Sequence, residues 1–380
     1  MPTTLPFSRA APIPHTTTIV AAPTLRAHRR IASLPHPHPH PTLPLRHQIT
    51  HAQMAAAASS SPPPCKPLVV VGSVNADFVL SVDRLPQAGE TLSASKLELF
   101  PGGKGANQAA AAARLGHPTH FIGQNGRGSN GEFLRAALAD SGVILDALKT
   151  VDEEPGSAYI FLQPSGENSI VILGGANQHP WALSESDEAL ISRAGAVLLQ
   201  REIPEAVNAK VAAVARKGGV PVILDAGGED GPLPPSLLAN LTVLSPNETE
   251  LARLTGLPTA TEEETVAAAR ALLQSATQEG GALSHVLVKL GARGAMMIGG
   301  GAEEGGGVLR QAAGAVPTVV DTTGAGDCFT AAFAVGFVKG WPAKRCVAFA
   351  TAAAGLCIQA KGAMSSLPRL ADLPQDVRGD

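Results

Sequence analysis

The 380-residue chain has four cysteines, Cys65, Cys328, Cys346 and Cys357, and no C-x-x-C pair among them. That density excludes a disulfide scaffold and makes a reducing compartment the default. Long apolar runs are absent as well. Residues 346–358 are rich in alanine and fall short of the ~20 residues of a membrane span, so no membrane segment is expected. A formal net charge of −3 gives no electrostatic case for nucleic acid or an anionic membrane as partner. There is also no G-x-G-x-x-G after the first buried strand, which argues against a dinucleotide-binding protein.

No Asp or Glu precedes Asp77, whereas Arg9, Arg26, Arg29, Arg30, Arg46 and Lys66 are basic, in a stretch rich in Ser, Thr, Pro and Ala. This is the profile of an organelle transit peptide. A secretory signal needs an apolar core of about 7–15 residues after its basic end. Residues 18–22 are too short for that and precede most of the arginines. His36, His38 and His40 alternate with prolines that hold an extended form, which reads as low complexity rather than a metal site. The expected organisation is a leader and linker over residues 1–64, directed to the plastid in preference to the mitochondrion, and one folded, soluble domain over 65–380.

Residues 68–72, Leu-Val-Val-Val-Gly, read as a buried strand of a parallel sheet. Segments 78–82 and 92–100 are strand-like and flank a turn, and 158–162 and 168–173 flank Gln163-Pro164-Ser165-Gly166-Glu167 as a hairpin. An alanine-rich helix over 106–115 ends at Gly116, followed by a strand at 119–122 and a helix at 132–139. From residue 196 onward strands and helices alternate: strands at 196–199, 221–224, 242–244 and 286–289, helices at 206–217 and from Glu248 and Glu262. Such alternation builds a Rossmann-like three-layer α/β/α sandwich with a mostly parallel central sheet. The β-only pieces, about 78–101 and 156–174, do not fit that core and are expected to pair with each other as a small β-sheet lid. The glycines at 299–301 and 305–307 read as a hairpin loop without chemistry.

Three glycine-and-charge constellations carry the chemistry. Asp321-Thr322-Thr323-Gly324-Ala325-Gly326-Asp327 precedes the apolar run 329–338. A glycine turn opening a helix leaves N–H groups unpaired at the positive end of the dipole, which makes an anion site. Asp327 in that first turn adds a general base, and together they suit transfer of a phosphoryl or acyl group to a hydroxyl. A capped core helix is the plainer alternative. Gly102-Gly103-Lys104-Gly105-Ala106-Asn107-Gln108 lets a polar ligand approach the backbone, although it also fits a simple helix-start turn, and it is not a Walker A loop. Asn75-Ala76-Asp77 follows the first strand, where open α/β sheets bind ligands. Ser245-Pro246-Asn247-Glu248-Thr249-Glu250 opens another helix; its carboxylates complement the dipole, and its oxygens also suit Mg²⁺. Lys289-Leu290-Gly291-Ala292-Arg293-Gly294 is a strand end and turn that can line a nucleotide.

Together these residues resemble the ribokinase family of small-molecule kinases, the ribokinase and phosphofructokinase-B group, from Leu68 to about Leu373. Within it the chain is most similar to the ribose-phosphorylating members, through Gly72-Ser73-Val74-Asn75-Ala76-Asp77, Gly166-Glu167-Asn168, Gly175-Ala176-Asn177 and Lys361-Gly362-Ala363-Met364-Ser365-Ser366. The resemblance implies ATP-dependent phosphorylation of D-ribose at O5. Asp327 would be the base, and the N–H groups of Gly324, Ala325 and Gly326 would cradle the γ-phosphate. Asn75, Asp77, Gly103, Lys104, Asn107 and Glu167 would bind sugar hydroxyls. Asn247, Glu250, Lys289, Gly291, Gly294 and Thr351 would lie along ATP and its Mg²⁺, with Glu250 associated with the metal. A monovalent cation, usually K⁺, would be held by the Asp321 carboxylate, Ser366 and the carbonyls of Thr323, Cys357, Ala360 and Gly362. The resemblance further implies a homodimer joined through the lid.

Two segments depart from the family pattern. Gly126-Arg127-Gly128 carries glycine where an acid is common, and Asp225-Ala226-Gly227-Gly228 replaces the N-P-x-P of bacterial members. Other readings are a family kinase acting on fructose or a nucleoside, and a non-catalytic kinase-like scaffold, against which the intact base and anion turn speak.

Overall fold

A computed structural model describes residues 65–278, 280–300 and 307–378. The transit-peptide and histidine-tract readings, and most of the glycine loop at 299–307, lie outside these residues.

The first strand, β1 (Leu68–Val71), is fully buried, and its side chains alternate between two cores. Leu68 and Val70 face one hydrophobic cluster while Val69 and Val71 face another. This is the period-two pattern of a strand covered on both sides. The chain continues through β2 (Asn75–Ser81), β3 (Lys96–Gly102), α1 (Lys104–Arg114), β4 (Thr119–Asn125), α2 (Gly128–Asp140), β5 (Leu148–Thr150), β6 (Gly156–Leu162) and β7 (Asn168–Leu173). Then follow α3 (Glu185–Ile191), β8 (Ala196–Leu199), α4 (Glu205–Lys217), β9 (Val222–Asp225), α5 (Pro235–Leu238), β10 (Val243–Ser245), α6 (Glu248–Thr255) and α7 (Glu262–Gln278). The last part is β11 (His285–Lys289), β12 (Ala295–Gly299), β13 (Val308–Gln311), α8 (Ala325–Val338), α9 (Ala343–Cys357) and α10 (Gln375–Arg378).

The large sheet has the order β13-β12-β11-β10-β9-β8-β1-β4-β5. It is parallel from β11 to β5, and β12 and β13 extend it antiparallel as a hairpin. Chain order reverses between β1 and β8, the switch point beside which open sheets leave a crevice. One face is covered by α1, α8 and α9 and the other by α4, α6 and α7. Helix α8 is buried from Asp327 to Gly336 on every side, as expected for a helix with no polar face.

A second sheet has the order β3-β2-β6-β7. The two β-only pieces of the sequence do pair, through a parallel β2–β6 contact. The strand expected at 92–100 begins only at Lys96, because residues 92–94 have no pairing partner, and it runs on to Gly102. Strand β5, helices α3, α5, α9 and α10 and the two strands β12 and β13 that flank the expected hairpin loop were not read from the sequence.

The start of α1 sits against the β1–β2 corner. A Cβ on Gly105 would lie 2.6 Å from Ser73 N and 2.7 Å from Gly72 C, both backbone atoms. Backbone cannot give way as a side chain can, so Gly105→Ala is expected to destabilise the fold by about 1–3 kcal/mol. Denaturant unfolding of the two proteins checks this.

Candidate active site

Helix α8 starts from Gly324 in the left-handed conformation, φ 78°, a geometry that favours glycine. A Cβ there would also lie 2.9 Å from Ala363 Cα. Among the described residues no protein acceptor meets the N–H of Gly324, Gly326 or Asp327, whereas Ala325 donates to the Thr322 carbonyl at 3.3 Å. The expected cup is therefore formed mainly by N–H groups flanking Ala325. These free donors stand at the positive end of the helix. They open on a cavity of about 740 Å³.

Asp327 is buried beside the cup, and one of its oxygens accepts a hydrogen bond from Asn107 Nδ2 at 2.9 Å. Gln108 Nε2 approaches the other oxygen at 3.4 Å, and Gln108 is itself held by Gln200 Nε2 at 2.8 Å. Burial, aided by the charges of Asp225 and Glu202, lifts the Asp327 carboxyl to about 6, against the pull of Lys104 and Asn107. The Lys104 ammonium lies in the field of Asp327 first, then Asp225, Glu202 and Glu250, and its pKa is raised despite its burial. A carboxyl titrating near 6 is ionised at neutral pH and remains a usable base.

On one side of Asp327 lie Asn75, Asp77 and Gly103. Gly103 precedes α1 at φ 87°, and a Cβ on it would lie 2.8 Å from Asn75 N. Gly102 leaves space for the Asp77 carboxylate, whose Oδ2 would be 2.0 Å from a Cβ at that position. Asn177 Nδ2 donates to Asn75 Oδ1 at 2.7 Å, and Asn177 Oδ1 accepts from Val74 N at 2.9 Å, which fixes the corner after β1. Burial, then the charges of Glu202 and Asp327, push Asp77 up to about 7.

Glu202 belongs to this group and was missed in the sequence. Its Oε2 accepts from Ser73 Oγ at 2.6 Å and from Lys104 N at 2.9 Å. It thus caps α1, whose own N-cap, Gly103, has no side chain to do so. The available signal was position: Glu202 follows the buried strand β8 just as Asn75-Ala76-Asp77 follows β1. Glu167, by contrast, is not brought to the site. It is exposed in the β6–β7 turn with Ser165 as its hydrogen-bond partner. Gly156 of β6 pairs with Asn75 at the site end, and Leu162 is at the opposite end of the strand. Six residues at about 3.3 Å each put Glu167 roughly 20 Å away along the strand.

The remaining expected residues line the cavity on the other side of the cup: Asn247, Glu250, Lys289, Gly291, Gly294 and Thr351. Asn247 and Glu250 form a reciprocal capping box, with Glu250 N donating to Asn247 Oδ1 at 2.8 Å and Asn247 N to Glu250 Oε2 at 2.7 Å. Among the described residues no protein donor meets Glu250 Oε1, which can take a metal-bound water, so the donor set fits a hard divalent cation. Gly294, at φ 97°, accommodates Gln311 O, which would be 2.0 Å from a Cβ. Val316, Val319, Phe329 and Ile358 supply an apolar wall.

Asp321 links the cup to the 357–366 loop. Its Oδ1 accepts from Thr323 N at 2.9 Å and Thr323 Oγ1 at 2.7 Å, and its Oδ2 accepts from Gly362 N at 2.9 Å. Ser366 Oγ donates to Ala363 O at 2.9 Å and lies 3.0 Å from Cys357 Sγ, while Ala360 N donates to Cys357 O at 3.4 Å. These residues therefore share one loop pair behind the cup, and their carboxylate, hydroxyl and carbonyl oxygens are donors suited to a hard cation.

Residues 66–370 match the pfkB family carbohydrate kinases. The chain is 48% identical over 307 residues to ribokinase of Arabidopsis thaliana, covering 80% of this chain and 78% of that one. It is 37% identical over 308 residues to ribokinase of Haemophilus influenzae, covering 80% and 95%. Among solved structures, Arabidopsis thaliana ribokinase complexed with ribose and ATP superposes with a TM-score of 0.74 at 47% identity, covering 80% of this chain and 96% of that one. Among the described residues no helix is long and apolar enough to cross a membrane.

The raised carboxyls have a thermodynamic consequence. A carboxyl whose folded pKa exceeds its unfolded value binds protons more tightly in the native state, so stability falls as pH rises between the two values. For Asp77 that window runs from 3.8 to about 7. Asp77→Asn removes the cost and is expected to be more stable than wild type at pH 8, by an amount on the order of 2–4 kcal/mol. The difference should vanish near pH 4. Thermal unfolding of both proteins across that range tests it.

Proposed function

We propose, because this chain belongs to the pfkB family of carbohydrate kinases, that it transfers the γ-phosphoryl group of ATP to the O5 hydroxyl of D-ribose. The observation that carries this reading is the position of Asp327. Its carboxylate stands beside unpartnered N–H groups on a 740 Å³ cavity, next to a polar cluster. The polar cluster offers Asn75, Asp77, Gly103, Lys104, Asn107 and Glu202 to sugar hydroxyls. Asn107 Oδ1 is buried without a protein donor, as suits an acceptor reserved for a hydroxyl. The cavity takes ATP, and Glu250 and Asn247 would hold its Mg²⁺, which would supply neutralisation of the phosphate charge.

In the reaction Asp327 takes the proton of the sugar hydroxyl as its oxygen attacks the γ-phosphorus in line with the departing ADP. The bond from phosphorus to the bridging oxygen of ADP breaks as the new P–O bond forms. The cup donates to the equatorial phosphoryl oxygens, and Lys104 favours the ionised form of Asp327 before that carboxylate takes the proton and becomes neutral. Because the two substrates enter from opposite sides, positioning supplies much of the acceleration.

Asp321, Ser366 and the carbonyls of Thr323, Cys357, Ala360 and Gly362 hold a monovalent cation in this reading, which stiffens the turn at Gly324. The carboxylate-free leader over residues 1–64 is a plastid transit peptide, and residues 65–380 are the kinase domain. The lid joins two subunits. Its edge strand β7 exposes Ile170, Val171, Ile172 and Leu173 in succession, so both faces of an edge strand are apolar, a liability unless covered.

Three measurements bear on these points. Against a panel of sugars and nucleosides with Mg-ATP, ribose is expected to be phosphorylated fastest; faster turnover of fructose or adenosine would reassign the substrate. Asp327→Ala should keep its fold and ATP binding and lose about 10²–10⁴-fold in kcat, and wild-type turnover should fall as pH drops through about 6. Ile170→Lys combined with Ile172→Lys should convert a dimer to monomers in analytical ultracentrifugation.

A further inference from the structure

Lys289 ends β11, and its N–H is fixed by Pro246 O at 2.9 Å, beside the start of α6. Its side chain is 13% exposed and lines the cavity. The ammonium has three donors, and one goes to Asp225 Oδ2 at 2.7 Å. Among the described residues no other protein acceptor meets it. Asp225, at the end of β9, is 1% exposed. Its Oδ2 also accepts from Thr330 Oγ1 of α8 at 2.8 Å, and its Oδ1 accepts from Gly227 N at 3.0 Å. Two strands and the helix that carries the cup therefore converge on one carboxylate.

The Lys289 Nζ lies 3.6 Å from where a Cβ on Gly326 would stand. Covalent geometry puts that point about 2.5 Å from the Gly326 nitrogen, so the two nitrogens are at most about 6 Å apart. That is roughly the span of two hydrogen bonds of about 2.9 Å meeting at a shared acceptor. An oxygen bound by the Gly326 N–H is thus within reach of the ammonium.

We propose that Lys289 donates to the transferring phosphoryl group at the Gly326 edge of the cup, and that Asp225 is the positioning residue that holds it there. This deepens the kinase reading and rests on it. A buried ion pair kept only for packing gains little over apolar residues of similar volume, whereas this pair presents spare donors to a cavity. The site then divides its two ammonium groups. Lys104, in the field of Asp327 first, serves the proton transfer, and Lys289, paired with Asp225, serves the phosphate. Without Asp225, the ammonium would be free to turn toward Asp327 and compete with the hydroxyl proton for the base.

The test compares ATP and AMP, each with Mg²⁺, in calorimetric binding, alongside steady-state kinetics on the full chain. Lys289→Met is expected to weaken ATP by about tenfold or more, leave AMP unchanged, and lower kcat by about 10²–10³-fold, as loss of a transition-state donor does. Lys289→Arg should retain most of the ATP affinity. Asp225→Asn should lower kcat by about tenfold or more with the sugar KM and the melting temperature nearly unchanged. If Lys289→Met does not fold because Asp225 is left unpaired, the double variant Lys289→Met with Asp225→Asn restores neutrality and should be folded and equally impaired. A folded Lys289→Met or double variant with wild-type kcat, or with ATP and AMP weakened alike, overturns the proposal. Failure of wild type to phosphorylate any sugar would instead overturn the kinase reading.

Discussion

The bond from Asn107 to Asp327 spans 220 residues of sequence and ties the starts of α1 and α8 together. Both helices begin at glycines with positive φ, and each approaches its neighbours too closely for a side chain at that point. The carboxylate between them is taken out of water and compensated by an amide and an ammonium instead of by solvent. That exchange raises its proton affinity without neutralising it at physiological pH. A carboxylate placed in this way needs both helices in register, so the packing of the alanine face of α1 against α8 fixes the position of Asp327 as well as the fold.

Charge is concentrated where the sheet changes direction. Glu202, Asp225, Glu250 and Asp327 surround Lys104, Asp77 stands near Glu202 and Asp327, and Lys289 is paired to Asp225 at the cavity wall. Burial would raise Asp225, but the attraction of Lys289 and Lys104 outweighs it and holds that carboxyl below its ordinary value. Asp77, which lacks such a close cation and is crowded by other acids, moves the other way. Two buried acids in one site thus have opposite tendencies, set by which charge stands beside each.

Glu202 shows how structure and chemistry share a residue. One of its oxygens stabilises the start of α1, and its charge helps to raise both Asp77 and Asp327. Glu167 shows the reverse error. It stands in a sequence context that resembles the family, yet strand length carries it to the exposed end of the hairpin. A local motif gives no distance across a sheet.

What the sequence determined was local: the parallel sheet from alternating buried strands and helices, the turn at Gly324 from its glycines, and an acid in a first helical turn, while the lining of the cavity as a set came from the family resemblance. The first three follow from backbone sterics, helix dipoles and hydrophobic periodicity, which act over a few residues. Tertiary structure alone decided that Glu202 meets Ser73 and the start of α1 while Glu167 stays in the β6–β7 turn, that Ala325 spends its N–H on Thr322, and that Asp225 meets Lys289. Those outcomes depend on distances between segments far apart in the chain, and such distances are fixed only when the sheet has assembled and the two cores have closed around it.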